Sequence, residues 1–222
     1  MKKTAWISIF FTALLANIAG LCFHSHISGS ISKPLIVPAL IGYFIAAVSS
    51  NLPVTFKKAV IAALVFSWLG DVLLMFQPNS EIFFLLGLGS FLIAHLCYIV
   101  FFHQVRVREN IAAKPLLLIP VVLYYATLIN ILLPFLGNMK IPVLVYGVVI
   151  SFMLLLAIHT LWVKTRSPGQ WMMLGGLLFV ISDSILAINK FYQPFELAGV
   201  LIMLTYGMAQ FFIVKGAVKY SV

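Results

Sequence analysis

Long apolar stretches separated by short polar connections run from one end of the chain to the other. Eight of them, at 5–23, 34–50, 59–76, 82–102, 115–136, 141–163, 171–189 and 195–214, hold the ~17–25 mostly apolar residues that a helix needs to cross a hydrocarbon core of ~30 Å. They are apolar all round and lack the alternation of a membrane barrel strand. Each is therefore predicted to be a helix, which satisfies its backbone polar groups within the segment. Pro38, Pro120, Pro134 and Pro142 lie within or beside these runs and do not break them, because membrane helices repack around freed backbone groups. The pattern predicts an all-α integral membrane protein, a bundle of about eight transmembrane helices forming one polytopic domain over residues 1–222. The connections are too short for a separate soluble domain.

Composition excludes the soluble classes. The chain is 63% hydrophobic and 9% charged, with a mean hydropathy of +1.14, whereas soluble domains are roughly half apolar. A net charge of +9 raises the prospect of a nucleic-acid partner, but the placement of the charge argues for none. Alternate connections place eleven basic residues (Lys2, Lys3, Lys57, Lys58, Arg106, Arg108, Lys114, Lys164, Arg166, Lys215, Lys219) on one side and three (Lys33, Lys140, Lys190) on the other. By the positive-inside rule the first side faces the cytoplasm with both termini, which fits an even number of spans. The expected location is a bacterial inner, cytoplasmic membrane. The opening MKKTAWISIFFTALLANIAG has the basic start and apolar core of a signal peptide. Asn17 and the poor small-x-small pattern favour a retained first span. Cys22 and Cys97 make neither a disulfide framework nor a thiolate metal site.

Candidate chemistry lies in two of the apolar runs. LVFSWLGDVLLMF contains Asp71 and LLFVISDSILAINKF contains Asp183, and the chain has no other aspartate. An ionisable residue within a span costs ~2.5–3.5 kcal/mol on insertion scales, so it usually faces the bundle interior or a water-filled cavity. A shift of 112 residues lays Asp71 on Asp183, Leu74 on Leu186, Phe83 on Phe195, Gly87 on Gly199 and Leu92 on Leu204. The reading is a repeat of four spans, 1–110 and 113–222, in parallel orientation, with both aspartates facing one central cavity.

Helical spacing adds neighbours. Ser67 precedes Asp71 by four residues and Lys190 follows Asp183 by seven, while Gly70 and Ser182 stand immediately before the two acids. His95 and Tyr98 share a face of the fourth span, and Tyr206 and Gln210 a face of the eighth. At 1.5 Å per residue, Asp71, His95, Asp183 and Tyr206 are expected about 13–21 Å from the cytoplasmic ends of their helices. Structural readings stand beside these. Ser67 and Ser182 can bond a carbonyl one turn back, and Tyr98, Tyr124, Tyr125 and Tyr146 can be packed rings. His95 can be a structural hydrogen-bonder, and His24, His26, His103 and His159 solvated groups at span ends. No HExxH, Cys/His cluster, Walker loop or GxSxG elbow occurs, so the expectation is no metal and no cofactor. Acid–base hydrolysis and proton-coupled transport remain as the two classes that use paired membrane carboxylates.

GDVLL (70–74), FLIAHLCY (91–98), GGLLFVISDSILAINKF (175–191) and TYGMAQ (205–210) together resemble the YhhN, or transmembrane protein 86, family, whose characterised members are lysoplasmalogenases. The resemblance runs from the third span onward. It implies hydrolysis of the vinyl ether bond of a lysoplasmalogen to a fatty aldehyde and a glycerophospho-ethanolamine or -choline. Such a bond is cleaved by protonating its β carbon, after which water captures the oxocarbenium ion. Two carboxyl groups in unlike settings can supply the acid and the anion, as in glycosidases. With Lys190 nearest in sequence, Asp183 is expected to be the anion and Asp71 the proton donor. His95, Tyr98, Ser182, Tyr206 and Gln210 would support the acids, the water or the glycerol hydroxyl. The expected partners are a lysophospholipid substrate and membrane lipids, with no obligatory protein partner. A small proton-coupled transporter is the alternative.

Overall fold

The computed structural model describes residues 2–23 and 26–222; His24, and the side chains of 26–28 with that of His26 among them, lie outside the described residues. The helices are α1 (Lys3–Cys22), α2 (His26–Ala47), α3 (Val54–Met75), α4 (Glu81–Arg108), α5 (Leu118–Leu132), α6 (Lys140–His159), α7 (Arg166–Ala187) and α8 (Ala198–Tyr220). Short 3₁₀ turns flank α5 and α6, and α7 ends in a π turn at Ile188–Tyr192. Among the described residues there is no strand, and eight helical segments are long and apolar enough to span a membrane.

Several helices start earlier than their apolar cores. α7 begins at Arg166, and α2 begins at His26 and carries Pro34 and Pro38 within it. Pro38 has no N–H to give the carbonyl of Pro34, and Trp68 Nε1 on α3 donates to that carbonyl at 3.0 Å. A neighbouring helix thus satisfies the group the proline frees, as a membrane interior requires.

Three antiparallel hairpins, α1–α2, α3–α4 and α7–α8, make the most extensive contacts; α4 lies on α6, and α8 on α1 and α2. α2 lies on α3 as α6 lies on α7. Advancing every helix by four turns α3–α4 into α7–α8 and α2–α3 into α6–α7, but α5 packs far less on α6 than α1 does on α2. Phe10, Phe44, Leu64, Phe101, Phe102 and Phe179 are fully buried at the centre, whereas Leu15, Ile45, Val122, Leu123 and Val148 are exposed on the outside. Lipid is as apolar as leucine, so close packing rather than the hydrophobic effect must hold the helices together.

The basic end is knit by interfacial contacts. The Arg108 guanidinium lies 5.8 Å from the Phe56 ring centre and 5.7 Å from that of Tyr220, and Lys215 Nζ 3.9 Å from that of Trp171. Such stacking suits cations at a membrane–water boundary. His159 differs from the solvated role expected of it. It is 3% exposed, its Nδ1 lies 2.7 Å from Leu155 O, and its Nε2 accepts from Lys114 N at 3.1 Å. It ties the end of α6 to the segment leading into α5.

Candidate functional site

Asp71 on α3 and Asp183 on α7 line one cavity of about 700 Å³. Leu74, Phe91, Leu186, Ile202 and Met203 supply apolar wall, and Asn17, Ser30, Lys33, Ser182 and Tyr206 supply polar groups. The walls come from α1, α2, α3, α4, α7 and α8, at the ends of α1, α3 and α7 away from the basic side and the starts of α2 and α8. Asp71 lies about 25 Å along α3 from Val54, and Asp183 about 25 Å along α7 from Arg166, at 1.5 Å per residue. Both are therefore deeper than the expected 13–21 Å, because α3 and α7 begin before their apolar cores. The site lies in the half of the bundle remote from the basic side.

Each acid is held by a phenol. Tyr206 OH on α8 donates to Asp71 Oδ2 at 2.6 Å, and Tyr146 OH on α6 donates to Asp183 Oδ2 at 2.5 Å. The second neighbours differ in kind. Lys33 Nζ on α2 lies 3.9 Å from Asp71 Oδ1, whereas His95 Nε2 on α4 lies 3.7 Å from Asp183 Oδ2. Tyr146 bonds Asp183 Oδ2, and His95 Nε2 lies near the same oxygen without a hydrogen bond to it. The settings correspond helix for helix: α2 and α8 serve Asp71 as α6 and α4 serve Asp183.

Aromatic packing fixes this arrangement. Phe179, one helical turn before Asp183 on the same face, meets His95 at 4.6 Å and Tyr206 at 5.5 Å between ring centres, both edge to face. It thus packs against one neighbour of each aspartate. Phe91 packs on Tyr206 at 5.8 Å and lies over Gly70, where a Cβ would come within 2.6 Å of its ring. The glycine before Asp71 lets that ring close the cavity wall.

The other residues singled out in the sequence take various places. Tyr98 donates to Gln210 Oε1, 112 residues away; both are fully buried, and neither is hydrogen-bonded to an aspartate. Ser182 lines the cavity but donates to Ile202 O on α8 at 3.1 Å, not to a carbonyl of its own helix. Ser67 is fully buried with no hydrogen-bond partner. Lys190 is not beside Asp183: its ammonium lies 5.1 Å from the centre of the Phe84 ring. Seven residues carry it about 10 Å along the axis at 1.5 Å each, into the π turn, where the helical register that put it on the same face no longer holds. The sole reason for making Asp183 the anion is thereby removed.

Two site residues were missed. Lys33 read as a loop charge because its helix was expected to start at Pro34, and Tyr146 read as a packed ring. A signal was present, since Lys33 and Tyr146 are 113 residues apart, within one of the offset joining the aspartates. A second, narrow slot of about 40 Å³, lined by Phe84, Leu88, Val143 and Phe191, adjoins the cavity and shares Leu74, Phe91, Asp183 and Leu186 with it. Among the described residues no three His, Cys, Asp or Glu side chains gather as a metal site would need.

The chain is similar to a lysoplasmalogenase of Mycobacterium bovis, 32% identical over 163 residues that make up 72% of this chain and 60% of that protein. It is similar to lysoplasmalogenase TMEM86B of Homo sapiens, 32% identical over 72% of this chain and 63% of the other. With lysoplasmalogenase TMEM86A of Homo sapiens the identity is 30%, over 72% and 65%. The chain thus spans about three fifths of the length of the curated relatives it matches. No solved structure matches it. The model of the YhhN family matches residues 29–217, most of the chain, with Lys33, Asp71, His95, Tyr146, Asp183 and Tyr206 all inside the match, and the chain belongs to that family.

Proposed function

We propose that this protein hydrolyses the vinyl ether bond of lysoplasmalogens, with Asp71 and Asp183 as the catalytic pair. The observation that carries the proposal is two carboxyl groups, from α3 and α7, on one largely apolar cavity, with a lysine beside only one of them. The names of the relatives point the same way. A neighbouring ammonium favours the ionised form of a carboxyl group, so Asp71 is assigned as the carboxylate and Asp183 as the acid. This reverses the roles expected from sequence.

The reaction then closes on itself. Asp183 gives its proton to the β carbon of the vinyl ether, leaving an oxocarbenium ion that the Asp71 carboxylate stabilises. Water attacks the α carbon and passes a proton to Asp71, forming a hemiacetal. Asp71 returns that proton to the ether oxygen while the hemiacetal hydroxyl proton goes to Asp183, and the carbon–oxygen bond breaks to aldehyde and glycerol hydroxyl. One water is consumed and both acids return to their starting states. Tyr146 and Tyr206 hold each carboxyl at one oxygen, and such positioning is what general acid–base catalysis requires. The cavity suits a one-chain lipid.

The same reading extends the two-repeat expectation, since each aspartate is met by one helix of its own half and one of the other. It also places the basic side in the cytoplasm and the cavity in the opposite half of the membrane. Purified protein in detergent is expected to release aldehyde from lysoplasmalogen, with little from a plasmalogen that keeps its second chain. A proton-coupled carrier would need a sealed bilayer and a gradient, so absence of aldehyde in detergent, with transport recovered in vesicles, would replace hydrolysis by the carrier reading.

A further inference from the structure

We propose that Lys33 is the subsite for the phosphate of the lipid head, so that the cavity selects a phosphodiester-bearing lysolipid over an uncharged alkenylglycerol. The inference rests on the hydrolase reading above and adds to it which part of the substrate is recognised and by what.

Four observations meet at this residue. Lys33 is the one cation among the described residues lining the cavity. Its ammonium lies 3.9 Å from Asp71 Oδ1, well beyond the ~2.7–2.9 Å of a charge-assisted hydrogen bond. The pair is thus a loose one, and an ammonium has three protons to donate. Its side chain is 21% exposed, so a ligand can reach it. Finally, its backbone is braced. Pro34 follows it with a fixed φ, Trp68 holds the Pro34 carbonyl, and Asn17 Nδ2 on α1 donates to Gly29 O at 3.3 Å and to Ser32 Oγ at 3.2 Å.

The chemistry of the substrate fits this placement. In a lysoplasmalogen only the three glycerol carbons and their oxygens separate the vinyl ether from the phosphate. A vinyl ether between Asp71 and Asp183 therefore brings the phosphate to the neighbourhood of Asp71, where Lys33 stands. A phosphate bound there places a second anion on the ammonium while leaving it within reach of the carboxylate it supports. In a low-dielectric cavity one ammonium gains more from an anion than it does in water, whereas an uncharged glycerol leaves it nothing further to pair. The polar groups near Lys33, Asn17 and Ser30, lie on the same wall as the head of such a lipid.

The test uses binding, which does not depend on turnover. Purified protein in detergent is titrated with a saturated 1-O-alkyl-glycerophosphoethanolamine, which has no vinyl ether to hydrolyse, and with the 1-O-alkylglycerol of the same chain length. Wild type and Lys33→Arg are expected to bind the phospholipid at least tenfold tighter, as about 1.4 kcal/mol of preference would give. Lys33→Met is expected to bind both ligands alike. Since Lys33→Met leaves Asp71 without its cation, Lys33→Met/Asp71→Asn is measured beside it, and it must lose the preference too. Inorganic phosphate at the same concentrations is expected to give no saturable binding, because the chain brings the head into the cavity. Retention of the phospholipid preference in Lys33→Met or in Lys33→Met/Asp71→Asn, its absence in wild type, or saturable binding of inorganic phosphate would overturn the proposal. A preference lost with Lys33, in a protein that releases no aldehyde from lysoplasmalogen, would keep this subsite and remove the hydrolase reading; aldehyde release with the preference intact in Lys33→Met would do the reverse.

Discussion

Aldehyde release by Asp71→Asn and by Asp183→Asn is expected to fall ~10²–10⁴-fold below wild type, the usual cost of removing a group that moves a proton in the transition state. Asparagine keeps the shape of aspartate and still accepts a phenol hydrogen bond at its carbonyl oxygen, so Tyr206 and Tyr146 keep their partners. Asp183→Asn exchanges an acid for a neutral amide and leaves no charge stranded. Asp71→Asn leaves Lys33 without its anion, but that side chain is 21% exposed and can reach water in the cavity. Both variants are therefore expected to be monodisperse after purification. The proposed reaction uses both groups on one substrate in successive proton transfers, so the double variant is expected to be little worse than either single one. A variant keeping more than about a tenth of wild-type turnover, far short of the loss expected for acid catalysis, would make its aspartate structural.

Much of this arrangement was legible in the chain, and the parts that were not share a cause. The spans were readable because the length of an apolar run is a direct consequence of bilayer thickness. The aspartates were readable because a carboxyl group in such a run stands out against its surroundings. Their common cavity followed from the offset of 112, which needs no knowledge of which helices touch. What periodicity along one helix cannot give is the partner on another. Tyr206 bonds Asp71 across 135 residues and Tyr146 bonds Asp183 across 37, while Tyr98 and Gln210, which share helix faces with His95 and Tyr206, bond one another. Lys190 failed in the opposite way: same-face spacing held on an ideal helix, but two turns of rise and a π turn separate it from the acid. Lys33 was hidden by a boundary, since the start of α2 was read from Pro34 rather than from His26.

Gly175→Ala is expected to destabilise the protein by ~1–3 kcal/mol, the typical effect of forcing extra volume into a packed contact. A Cβ there would come within 2.8 Å of Ala209 O and 2.7 Å of Ile213 N on α8. These are backbone atoms that cannot swing aside, so α7 and α8 must part. The consequence reaches the site, because α7 carries Asp183 and Phe179 while α8 carries Tyr206. Gly89→Ala is the control: a Cβ at Gly89 on α4 meets nothing within 4 Å. Thermal unfolding in detergent is expected to give a lowered midpoint and reduced folded yield for Gly175→Ala, with Gly89→Ala at or above wild type. Equal midpoints for all three would mean that α7 and α8 do not depend on this close approach.

In the proposed reaction a carboxylic acid of this protein delivers a proton to the vinyl carbon. The direct measurement is turnover of lysoplasmalogen in D₂O by purified wild type, with the aldehyde reduced at once to its alcohol and analysed by mass spectrometry. One deuterium is expected at the carbon next to the former aldehyde carbon, with a slower rate in D₂O than in H₂O and loss of the labelled product with Asp183→Asn. An aldehyde formed with no deuterium at that carbon, or labelled product formed at the wild-type rate by Asp183→Asn, would contradict it.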